Sequence, residues 1–280
     1  QTRWVCARLR EAHDSLEIEE IIIKTHGDTA TGQRFDADWP VGGFVGAIER
    51  ELAGGRIDLA VHSYKDLPTT STPGLVIAAV PPREAVHDVL VTSERVALDD
   101  LPPGFRIGTS SPRRAAQLRR LADVKIVEIR GNVPTRVAKV SGDAVDGVVV
   151  AAAGLRRLGI TPRHVVDLPA DRFLPAPAQG ALAVQARNDD EAASLAAVLH
   201  DEPSGNTVAA ERSFLEAIQA GCHTPVAALA TLTDGVLSLR GQLFSDDGTR
   251  LAEGTESGDD APAVGGRLAR RLMDELRRPA

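Results

Sequence analysis

The chain has 280 residues, 43% of them hydrophobic but only 3% aromatic, so a core of Ala, Val, Leu and Ile spread over more than one domain is expected. A net charge of −7 excludes a general nucleic-acid binder, which would carry a basic face. Cys6 and Cys222 have neither CxxC nor Cys/His ligand spacing, so no disulfide framework and no metal site are expected; with no membrane-length apolar run and no visible signal peptide, the expected compartment is the cytoplasm.

Trp4, Val5, Leu9 and Ala12 have helical spacing, with Arg3, Arg8 and Arg10 outside, and Cys6 on that helix reads as core packing. Leu16 to Ile23 reads as a strand, Phe44 to Leu52 as a helix closed by Gly54 and Gly55, and Ile57 to His62 and Leu75 to Val80 as short strands. Pro81, Pro82 and Arg83 break the pattern. Strand-like runs at 89–91, 105–108, 125–129 and 147–151 then alternate with helical stretches at 112–121, 134–140 and 153–158, the signature of a mainly parallel sheet. A proline-rich passage at 174–177 leads to another strand, Leu182 to Ala186. The tail reads as a helix from Thr207, its N-cap, to Ala220. A hairpin follows around Thr233-Asp234-Gly235, with strands from Thr224 to Leu232 and from Val236 to Phe244. A strand at 250–255 and a helix at 264–276 complete it.

The predicted fold is therefore α/β: two lobes, 1–82 with 181–199 and 87–174, plus a C-terminal α+β domain at 203–280. The chain would cross between lobes near 81–87 and again near 174–181. This double crossover resembles the type II periplasmic-binding-protein architecture, whose lobes hold a ligand in the cleft between them.

Four segments carry chemistry. Gly108-Thr109-Ser110-Ser111-Pro112-Arg113-Arg114 follows a strand and opens a helix. Its N–H groups, helix dipole, hydroxyls and two guanidiniums would receive an anion, although an ordinary capped helix with exposed arginines fits equally well. Arg130-Gly131-Asn132-Val133-Pro134-Thr135-Arg136 repeats that layout, and Arg156 and Arg157 follow the next strand. Turns after parallel strands share one sheet edge, so this recurrence points to a ligand with several carboxylates; surface arginines are the competing reading. His62-Ser63-Tyr64-Lys65-Asp66-Leu67-Pro68 places a Lys-Asp pair at a strand end, either a salt bridge or an ionised carboxylate able to stabilise a developing cation. Finally, Cys222 lies in a loop between Gly221 and His223, where a thiol near basic groups is more reactive than a buried one; a lone loop cysteine is also commonly incidental.

In this order, His62–Pro68, Gly108–Arg114, Arg130–Arg136, Ala153–Gly159, Pro175–Leu182 and Glu211–Val226 resemble the porphobilinogen deaminase (hydroxymethylbilane synthase) family. The resemblance implies a transferase of tetrapyrrole biosynthesis that deaminates four porphobilinogen molecules and links them into hydroxymethylbilane. It implies a covalent dipyrromethane cofactor on Cys222 through a thioether, and Asp66 as the catalytic carboxylate. Lys65, Ser111, Arg113, Arg114, Arg136 and Arg157 match positions that hold acetate and propionate arms, Thr109 and Gly131 line the same site, and Ser63, Phe44 and Gln179 are further candidates. The expected protein is a monomer whose partner is its small-molecule substrate, with neither nucleic acid nor membrane. A competing reading is a two-lobed solute- or effector-binding protein without catalysis.

Three departures stand out. The family's Thr-Arg-x-Ser-x-Leu-Ala motif precedes the position matched by Gln1, and an incomplete chain is the expected reason. Trp39-Pro40-Val41-Gly42-Gly43 stands where a Lys-Gly pair is common, and His26-Gly27-Asp28 replaces Arg-Gly-Asp.

Overall fold

Val5, Cys6 and Leu9 share the buried face of α1 (Thr2–Ala12), whereas Trp4 and Ala12 are exposed. The computed structural model describes residues 1–23, 45–142, 144–219 and 224–278. It divides into two compact units, 1–83 with 181–206 and 84–180 with 207–280. The strand expected at 16–23 is absent: that stretch pairs with no described strand, and Ile21 and Ile22 remain exposed. Leu16 and Ile18 do pack on the core, so apolar residues alone predict a sheet strand that has no partner among the described residues. Helix α2 (Val45–Ala53) and strands β1 (Leu59–Ser63) and β2 (Leu75–Ala79) follow.

The second unit begins with β3 (Asp88–Thr92) and β4 (Phe105–Gly108). Next come α3 (Pro112–Leu121), β5 (Val124–Val127), α4 (Val133–Ala138), β6 (Gly147–Ala151), α5 (Ala152–Leu158) and β7 (Val165–Leu168). Their sheet has the order β5-β4-β6-β3-β7. Strands β5, β4 and β6 run parallel, but β3 is antiparallel to both β6 and β7. Valines 89, 91, 148 and 150 pack on one face, and Leu90, Ile107, Leu118, Val149 and Phe173 on the other.

The chain then returns to the first unit through β8 (Leu182–Arg187) and α6 (Glu191–Ala197). Strand β8 lies between β1 and β2 and is antiparallel to both, with Ala60 opposite Gln185 and Val76 opposite Ala186. The expected mainly parallel sheet is therefore present in the second unit, where β3 alone runs against the others, whereas the described sheet of the first unit is antiparallel. Helical crossovers force parallel pairing only where a βαβ unit exists, and β3 and β8 are entered directly from the two chain crossings.

Helix α7 (Glu202–Ile218) begins five residues before the expected Thr207. Asp201 is the residue that caps it, accepting from the Ser204 N–H at 3.0 Å, and Pro203 fits the first turn because its nitrogen needs no partner. The C-terminal part adds β9 (Val226–Thr233), β10 (Val236–Phe244), β11 (Leu251–Gly258) and α8 (Ala261–Arg277). Thr233 pairs with Val236, leaving Asp234 and Gly235 as a two-residue turn with φ of 51° and 78°, the conformation that a right-twisted hairpin selects. Helix α8 covers this antiparallel sheet with Val264, Leu268 and Leu272, which pack with Phe214 of α7 in one core.

Candidate functional site

In the second unit, parallel strands β4, β5 and β6 deliver three successive loops to one sheet edge. The first residue of the antiparallel β3, Asp88, reaches the same edge opposite Ala151. Backbone hydrogen bonds tie the edge together: Thr109 N donates to Val127 O at 2.9 Å, and Thr109 Oγ1 accepts from Ser111 N at 3.1 Å. Thr109 is buried, and Ser111 caps α3 by accepting from Arg114 N. The expected strand–turn–helix layout is therefore present.

Burial of the two arginines is what local sequence could not reveal. Arg113 and Arg114 are 4% and 6% exposed, and they share one acid, Asp88, which is wholly buried. Arg113 donates to Asp88 Oδ2 at 2.7 Å and to Leu174 O at 2.7 Å, with its guanidinium over the Phe173 ring. Arg114 donates to Asp88 Oδ1 at 2.6 Å and to Val149 O at 3.0 Å. Burial alone would raise the Asp88 carboxyl; the charges of Arg114 and Arg113 and their hydrogen bonds overcome it and hold the group well below the ordinary carboxylate range. With arginine charged throughout the accessible range, two cations and one anion leave the cluster a net positive charge. Arg114 Nε is buried and has no partner among the described residues.

The crossing segment adds Gln179, fully buried, whose amide donates to Val86 O at 2.8 Å and to Asp88 Oδ1 at 3.1 Å. Arg157, half-buried, donates to Gly180 O at 2.7 Å; burial pushes its pKa down and Glu84 partly offsets that. Gly180 has φ +87°, and a β-carbon there would sit 2.4 Å from Glu84 O, so the crossing admits no side chain at that point. In the second turn Gly131 has φ +115°, Asn132 caps α4 by accepting from Thr135 N, and Arg136 Nε donates to Gly131 O at 2.7 Å. Arg130 and Arg156 stay exposed, paired with Glu128 and Glu84, as ordinary surface arginines do.

In the first unit Ser63 ends β1, and Lys65 and Asp66 lie in the short 3-10 turn that follows, Asp66 exposed and Lys65 half-buried. Ser63 Oγ accepts from the Gln1 side chain at 2.8 Å. Behind this turn His62 is buried; its Nε2 donates to Gln185 Oε1 at 3.2 Å, and the Gln185 amide donates to Glu49. Burial lowers the pKa of His62, so the ring is neutral near pH 7. Cys222 and Phe44 lie outside the described residues.

Two residues of this machinery escaped sequence reasoning. Asp88 carries the weak signal of an acid opening an apolar strand. Glu211, fully buried on α7, accepts from Ala178 N at 2.6 Å and Ala230 N at 2.8 Å, a tie between the crossing segment and β9.

An α/β protein with guanidiniums gathered at the carboxyl edge of parallel strands places its donors where such folds hold ligands and in the form that carboxylates pair with. Residues 1–194 match the family model "Porphobilinogen deaminase, dipyromethane cofactor binding domain", and residues 206–274 match that family's C-terminal domain. The porphobilinogen deaminase of Moorella thermoacetica is 43% identical over 277 residues, covering 98% of this chain and 88% of that protein; the Thermus thermophilus porphobilinogen deaminase is 44% identical over 280 residues, covering 98% and 91%. Among solved structures, the B. pertussis BvgS periplasmic domain aligns with a TM-score of 0.39 at 15% identity over 69% of this chain and 34% of that one. The chain belongs to the porphobilinogen deaminase family of transferases, and its first 194 residues contain the dipyrromethane-binding domain. The solute-binding reading is not favoured.

The residues present fit that cofactor. A dipyrromethane carries several carboxylates, and the edge offers a net positive charge, the Arg114 Nε–H with no partner among the described residues, and the half-buried Arg157.

Proposed function

We propose that this chain joins four porphobilinogen molecules into hydroxymethylbilane with Asp66 as its catalytic residue and Cys222 as the point of cofactor attachment. The carrying observation is the buried Arg113–Asp88–Arg114 cluster, whose excess positive charge calls for an anionic ligand. In this reading Arg113, Arg114, Arg136, Arg157, Lys65 and Ser111 hold acetate and propionate arms, Thr109 and Gly131 shape the same surface, and Ser63, Phe44 and Gln179 support it. When bound, the dipyrromethane supplies the pyrrole carbon onto which the first substrate unit is joined. Asp66, ionised, accepts pyrrole N–H groups and stabilises the cation that develops on the substrate as ammonia leaves. The arginines fix the reacting carbons by their carboxylate arms, which raises effective concentration without chemistry of their own. Each condensation adds two carboxylates, so the demand for guanidinium donors is local and compatible with a net charge of −7.

The same reading divides the protein into three domains, 1–82 with 181–199, 87–174 and 203–280, and gives a cytoplasmic monomer that engages neither nucleic acid nor membrane. Among the described residues no helix is long and apolar enough to cross a membrane.

Intact mass spectrometry tests the attachment. The purified protein should carry a mass excess of two pyrrole units, lost in Cys222→Ser; unmodified mass in turnover-competent protein refutes it. Asp66→Asn preserves shape and removes charge, so turnover should fall about 100-fold or more with the melting temperature held. Near-normal turnover would dismiss Asp66 from the role.

A further inference from the structure

Asp88 is buried more deeply than the arginines it serves, and its contacts are divided evenly between them. Each carboxylate oxygen takes one guanidinium: Oδ2 accepts from Arg113 at 2.7 Å and Oδ1 from Arg114 at 2.6 Å. Each guanidinium is then held at a second point by a backbone carbonyl, Leu174 O for Arg113 and Val149 O for Arg114. Two fixed points on a planar group set its orientation. The acid is itself held on both sides, since its backbone pairs with Ala151 of β6 and Leu168 of β7 and its Oδ1 also accepts from Gln179. Arginine has five N–H donors, and these bonds use two on each side chain. The others, including Arg114 Nε–H with no described partner, stay on a plane that cannot turn.

We propose that Asp88 is a positioning residue of the polycarboxylate site: it locks the Arg113 and Arg114 guanidiniums so that their remaining N–H groups meet a ligand carboxylate without rearrangement. This rests on the reading of the site as one for a dipyrromethane and its substrate. Asp88 touches neither reactant; it acts as the acid behind a catalytic histidine does, by fixing orientation. A carboxylate present only to neutralise buried charge would govern folding and leave ligand binding untouched in any variant that folds.

The test compares three purified variants with the wild type. Asp88→Asn keeps the size but loses one acceptor and turns an N–H toward an arginine, releasing one guanidinium. Asp88→Glu keeps the charge but moves it outward by one methylene. Val91→Ala, a core truncation at the far end of the same strand, controls for lost stability. Folding is read by circular dichroism and melting temperature, cofactor loading by the fraction of molecules with the two-pyrrole mass excess, and KM on the loaded fraction. Folded Asp88→Asn and Asp88→Glu should show a loaded fraction well below that of Val91→Ala, and a KM about tenfold higher, the effect that outer partners have at other preorganised sites. Normal loading and normal KM in either folded variant overturn the proposal. If Asp88→Asn does not fold, Asp88→Glu decides alone; if neither folds, the carboxylate serves the fold only and the proposal is overturned. Failure of the underlying reading is separate and seen first, as wild-type protein with neither mass excess nor turnover.

Discussion

His62 shows how one side chain couples the interior of the first unit to pH. Burial lowers its pKa, and its Nε2–H is committed to Gln185. Below its ordinary value of 6.5 the unfolded chain binds a proton that the folded chain refuses, so stability falls as the solution is acidified from about pH 7 toward 5. Urea midpoints taken at pH 5, 6, 7 and 8 should drop across that interval, and His62→Gln should flatten the drop. An unchanged profile in the variant would place the acid sensitivity elsewhere. Asp88 behaves with the same sign, but at lower pH. Its depressed pKa contributes stability in full above the unfolded value near 4, which is lost only at lower pH. The two groups therefore act in separate windows. The strand–turn–helix junctions were legible in the sequence because their turn and cap residues have recognisable chemistry. That Arg113 and Arg114 would be buried on a shared acid was not, since Asp88 is 25 residues from Arg113 and nothing local links them.

At the scale of the element, the turns decide where the cations stand. Gly131 has φ +115°, and a β-carbon there would meet Thr135 Cγ2 at 2.7 Å. Gly131→Ala should therefore cost about 1–3 kcal/mol and shift the turn whose carbonyl holds Arg136. The measurable outcome is a lower melting temperature together with a raised KM; an alanine variant equal to wild type in both would mean that the turn tolerates a side chain. Elements with strong local punctuation match the sequence reading closely. Helix α3 runs Pro112–Leu121 and β4 runs Phe105–Gly108, both as expected. The departures share a cause: the Thr207 hydroxyl predicts a cap, but Asp201 starts α7 a turn and a half earlier with a proline behind it. Periodicity likewise reads a strand at 16–23, a stretch that has apolar residues but no ladder to join among the described residues.

Taken whole, the molecule carries net negative charge and concentrates guanidiniums along one edge of one sheet. Exposed charges are screened over about 10 Å at 0.1 M salt, while the buried Arg113–Asp88–Arg114 cluster is far less affected. Raising ionic strength from about 0.02 to 0.5 M should then lower kcat/KM severalfold through KM, while cofactor loading by intact mass stays constant. An unchanged kcat/KM across that range would show that exposed charge plays no part in drawing in the substrate.

The sequence by itself determined the α/β class, the C-terminal hairpin and helix, the positions of the strand–turn–helix junctions and the family. All of these depend on short-range patterns: apolar periodicity, turn residues and ordered motifs. Only the tertiary structure decided that β3 and β8 run against their neighbours, that Asp88 stands between two arginines, and that Glu211 holds Ala178 and Ala230. Those outcomes join residues far apart in the chain, and they are fixed by the satisfaction of buried charge and backbone hydrogen bonds. That requirement exists only once the chain has closed around them.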